Sequence, residues 1–113
     1  MATSRSASYS GWIAGASVFS GRTDPSWPIA PELAEELVAV WDRLPSLEGS
    51  LPSAPPLGYR GCFVEDPDGR TWTAFHEAVT LSLPDGTVTR RDDEHQFERL
   101  VLASAPEGTL PPL

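Results

Sequence analysis

Two stretches of this sequence carry residues with the chemistry of a site. The first is "SGRTDPSW", residues 20–27. Arg22 and Asp24 would project from a strand end beside an aromatic wall, Trp27, in the way small-molecule sites combine a few polar groups with apolar lining. The same residues also make a ligand-free corner. Gly21 permits a sharp exit from a strand. Asp24 can accept a downstream backbone N–H and set a turn around Pro25. Trp27 then covers the start of the next helix.

The second stretch pairs "LGYRG", residues 57–61, with "FHEA", residues 75–78. Tyr59, Arg60 and Trp72 would add an aromatic and cationic surface to the first group. Trp and Arg are over-represented among residues that dominate binding energy, and the chain has four tryptophans in 113 residues. His76 and Glu77 offer acid–base chemistry, since histidine titrates near neutrality. Adjacent strand residues point to opposite faces, so a regular strand cannot aim both at one substrate.

Other chemistries lack their residues. Cys62 is the only cysteine, so no internal disulfide and no cysteine-rich zinc site can form. Cys62, His76 and His95 have no short ligand spacing, and no metal or cofactor is expected. As a nucleophile Cys62 would need a neighbouring base, and it is expected instead to be a small buried hydrophobe. There is no phosphate-binding glycine loop, nucleophile elbow or zinc pattern.

Sixteen acidic residues face eight basic ones, a net charge of −8. Nucleic-acid affinity comes largely from basic groups that displace counterions, so this balance argues against a polyanionic partner. It argues equally against an anionic membrane and favours a basic partner. All eight basic residues are arginine, and lysine and asparagine are absent. Both missing types use AT-rich codons, which points to a GC-rich bacterial genome. The single cysteine suits a reducing cytoplasm, and no stretch approaches the ~20 apolar residues of a membrane span.

The elements that must position these residues follow from periodicity. Residues 1–8 are small and polar and are expected to be disordered. Residues 12–19 form a first strand. Ile29, Leu33, Leu37, Val40, Trp41 and Leu44 recur at three- and four-residue steps, the stripe of an amphipathic helix. Pro31 suits its first turn and Pro45 ends it. Residues 45–58 carry four prolines and form a long loop that Leu47, Leu51 or Leu57 would tack down.

An antiparallel meander over residues 59–64, 71–83 and 87–91 follows, with turns at "EDPDGR" and "PDG". If the turn at Pro67 and Asp68 closes in the simplest way, Tyr59 faces His76 and Phe63 faces Trp72. One sheet face then carries Tyr59, Phe63, Trp72, Ala74 and His76. The other carries Arg60, Cys62, Val64, Phe75, Glu77, Val79 and Leu81, with Arg60 and Glu77 at a spacing that lets them pair. A second helix starts near Asp92 or Asp93, where Asp93 and Gln96 resemble a capping box. Phe97, Leu100 and Val101 form its buried stripe, and His95 lies in its first turn. The acidic runs "EDPD" and "RRDDE" are expected in solvent.

The expected architecture is α+β: one mostly antiparallel sheet of about four strands with two helices packed on one face. The order is strand, helix, three strands, helix. Residues 9–108 form one domain and 109–113 a tail. The expected function is that of a small non-catalytic binding module. It would recognise a partner protein or small ligand through Arg22, Asp24, Trp27, Tyr59, Arg60 and Trp72. One alternative is a small enzyme with His76 or Glu77 as general base and Arg22 or Arg60 holding an anionic substrate. Another is an acidic inhibitor of a basic partner.

Overall fold

A computed structural model of the chain describes residues 10–17, 24–47, 61–75 and 77–109. Its elements are β1 (Ile13–Ala16), β2 (Ser26–Pro28), α1 (Pro31–Arg43), β3 (Cys62–Glu65), β4 (Thr71–Phe75), β5 (Ala78–Leu83), β6 (Gly86–Arg91) and α2 (Gln96–Ala103). The strands make one antiparallel sheet in the order β2-β1-β3-β4-β5-β6. The class is α+β with two helices, as composition and periodicity suggest. The sheet has six strands rather than about four.

Two strands account for the difference. β2 follows Pro25, ends on Pro28 and has three residues. It survives at the sheet edge because Pro25 supplies a carbonyl that accepts the Ala16 N–H at 3.1 Å, and an edge strand can spare the N–H that proline lacks. Residues 71–83 are two strands, not one. Phe75 faces Ala78, so only positions 76 and 77 separate β4 from β5. Glu77 is an exposed turn residue and not a strand residue, and its expected partner Arg60 lies outside the described residues.

The β3–β4 register is shifted by one residue from the simplest hairpin. Phe63 faces Thr73, and Val64 faces Trp72. The turn itself explains the shift. The Asp66 N–H donates to the Arg70 carbonyl, and three residues lie between them. Gly69 holds φ at +91°, the left-handed position that ends a three-residue hairpin loop. One extra loop residue moves β4 to the opposite face relative to β3.

Pairing from β2 through to β5 separates the faces. Trp27, Ala14, Val64, Trp72 and Leu81 stand in one row, and Ala16, Cys62, Ala74 and Val79 in the next. All are buried, Cys62 included. They join Leu37, Val40 and Trp41 of α1 and Phe97 and Val101 of α2 in one core cluster. Both helices therefore cover the same face. Burying side chains of this size contributes about 1.5–3 kcal/mol each. The opposite face carries Thr71, Thr73, Thr80, Ser82, Thr87 and Thr89 on three adjacent strands, the polar side expected of an antiparallel sheet with one wet face.

α1 follows its periodicity closely. Pro31 occupies its start, Glu32 its first turn and Arg43 its last, each on the favourable side of the helix dipole. Arg90 of β6 locks its end, donating to the Trp41 carbonyl at 2.7 Å with its guanidinium 4.4 Å from the Trp41 ring centre. The chain then runs along the free edge of β6, where Ser46 bridges to Arg90 and the Leu47 N–H donates to the Thr89 carbonyl.

α2 departs from the capping-box expectation. The Asp92 carboxylate accepts the N–H groups of Gln96 and Phe97 at 2.9 and 2.8 Å, while Asp93 pairs with Arg91 on the surface. His95 sits before the helix, half-buried at φ +55°, with its Nδ1 3.2 Å from Glu98. Asp66 and Asp92 also differ from the solvated acids expected in the two acidic runs. Both are buried, and Asp66 accepts the backbone N–H groups of Asp68 and Arg70 and the Arg70 guanidinium. Each carboxylate satisfies backbone donors that a tight turn or helix start leaves open.

Candidate functional site

The register brings several chain ends to one end of the sheet. β1 leaves at Ser17, β2 enters at Asp24, β3 enters at Gly61, and β4 turns into β5 at Glu77. Two backbone bonds tie the first three together: Ala16 N–H to the Pro25 carbonyl at 3.1 Å, and Ser17 N–H to the Gly61 carbonyl at 2.8 Å. β2 and β3 flank β1, so Asp24 and Gly61 stand two strand spacings apart, about 10 Å. Glu77 lies between β4 and β5, three to four spacings from Asp24, about 17 Å.

Of the residues singled out in the sequence, Asp24, Trp27, Trp72 and Glu77 are described. Arg22, Tyr59, Arg60 and His76 lie outside the described residues, as do Leu51, Leu57, residues 1–8 and 110–113. In sequence Arg22 precedes Asp24 by two positions, and Arg60 adjoins Gly61.

Asp24 occupies an unusual position. Its Oδ1 is shielded from solvent and has no hydrogen-bond partner. The turn bond expected of an Asp-Pro corner, from its carboxylate to a downstream N–H, is not made. Pro25 has no N–H, and from Pro25 onward the chain is extended along β1. The Phe63 ring lies over Gly15, and a side chain at Gly15 would also meet the Pro25 carbonyl at 2.7 Å.

Trp27 and Trp72 are buried, at 3% and 2% exposure. They underlie the sheet and present no ring to solvent. Trp27 donates its indole N–H to the Ser104 hydroxyl at 2.8 Å, which ties β2 to the end of α2. Trp72 stacks on Trp12 with ring centres 5.1 Å apart, and Arg70 lies 5.4 Å from its ring centre. The Trp72 indole N–H has no hydrogen-bond partner. The two rings therefore respond differently to phenylalanine. Trp27→Phe loses this partly buried bond and is expected to cost about 1–2 kcal/mol. Trp72→Phe removes an unsatisfied donor, which offsets its smaller ring, and is expected to stay within about 1 kcal/mol of the parent. Urea unfolding of both variants tests this, and a larger loss for Trp72→Phe would reject it.

A separate cleft of about 280 Å³ lies at the far corner of the same sheet end, lined by Arg43, Pro45, Arg91, Asp92, Asp93 and Gln96 among others. Its charged groups are largely engaged, Asp92 with the α2 backbone and Arg91 with Asp93. Nothing in the sequence singles it out, because only the tertiary meeting of α1 and α2 creates it. Among the described residues, no group of three or more His, Cys, Asp and Glu side chains could hold a metal ion. No described helix is long and apolar enough to cross a membrane. Compared with protein-family models, with curated proteins and with solved structures, the chain gives no match.

Proposed function

We propose that the chain is a small acidic binding module, without catalysis, that recognises a partner protein or a small ligand at the sheet end where β1, β2 and β3 meet. Asp24 is its described anchor, and Arg22, Tyr59 and Arg60 are its expected neighbours. Trp27 and Trp72 act from beneath, as the packed floor that holds the strand ends.

The supporting observation is the shielded, unpartnered oxygen of Asp24. A corner that existed only for the fold would satisfy its carboxylate locally, as Asp66 and Asp92 do. Leaving a buried acceptor unmade costs about 1–3 kcal/mol, and such costs concentrate at sites completed by a ligand. Glu77, about 17 Å away, is exposed in a turn and does not line the cleft at Arg43 and Arg91.

A fragment library followed by amide chemical shifts tests the site without a known ligand. Hits are expected to move the amides of Ala16, Ser17, Ser26 and Gly61 in the parent and not in Asp24→Ala. Hits gathered instead around Arg43, Arg91 and Gln96 would place the function in the other cleft and refute the proposal.

A further inference from the structure

We draw no further inference here: the strongest candidate, the two rows of hydroxyl side chains on the open face of β4, β5 and β6 (Thr71, Ser82 and Thr87, then Thr73, Thr80 and Thr89), is the polar side that any antiparallel sheet turns to water, and nothing in the structure shows what covers it.

Discussion

Replacing Gly61 with alanine is expected to destabilise the chain by about 3 kcal/mol. Two penalties meet at this residue. Its φ of +113° lies where a side chain is strained, at about 1–2 kcal/mol. A Cβ there would also stand 2.7 Å from the Ala74 carbonyl oxygen and 3.3 Å from the Phe75 Cβ. The first is backbone of a paired strand and cannot rotate away, so β3 and β4 would have to part. Overpacking of this kind costs about 1–3 kcal/mol.

Gly69→Ala isolates the first penalty. Gly69 has φ +91°, but nothing lies within 4 Å of the place its Cβ would take, so the expected cost is about 1 kcal/mol. Urea unfolding curves for the two variants give the comparison, with the midpoint moving and the slope unchanged. The loss at Gly61 corresponds to roughly 10 °C in Tm for a domain of this size. It would also disturb the site, because the Gly61 carbonyl receives the Ser17 N–H. Equal losses at the two glycines would show that the β3–β4 contact yields freely, contrary to the packing described.

What was legible in the sequence was whatever a single element decides for itself. The stripe of α1 needs only its own spacing, and Leu37, Val40 and Trp41 are buried as the three- and four-residue steps require. What was not legible depends on partners distant in sequence. β2 has too few residues to show alternation and owes its extension to β1. The break between β4 and β5 falls at His76 and Glu77, neither of which is a turn former. It is held instead by the Asp92 N–H, which donates to the Glu77 carbonyl from fifteen residues away at 2.7 Å. The face of the sheet that becomes core was undecidable from composition, since both alternating sets are half apolar. One loop residue at Gly69 decided it.

The candidate site divides along the same line. Asp24 could be picked out from its place beside a proline at a strand end. Its lack of a partner could not, because that follows from how β1 spends its N–H groups. Trp27 and Trp72 carry the composition of a binding surface, yet residue type does not distinguish an anchor from a core ring. Their burial follows from pairing, since Trp27 lies opposite Ala14 and Trp72 opposite Val64, on the face that the helices cover. The tryptophans thus build the floor beneath the sheet rather than a surface on it.

Asp92→Ala is expected to cost about 2 kcal/mol, and Asp93→Ala less than about 0.5 kcal/mol. Adjacent aspartates of equal charge differ here only in what they touch. Asp92 is 3% exposed and accepts two backbone N–H groups at the start of α2. Removing it leaves both donors without a partner, one of them in a bond buried from solvent. It also withdraws a negative charge from the positive end of the helix dipole. Asp93 pairs with Arg91 where both side chains are half exposed, and such pairs contribute little. The consequence reaches the core, because Phe97 donates one of the two N–H groups and its ring is fully buried. Hydrogen exchange at the Gln96 and Phe97 amides is therefore expected to quicken in Asp92→Ala and to hold in Asp93→Ala. Faster exchange in the Asp93 variant alone would return the cap to Asp93 and undo the described start of α2.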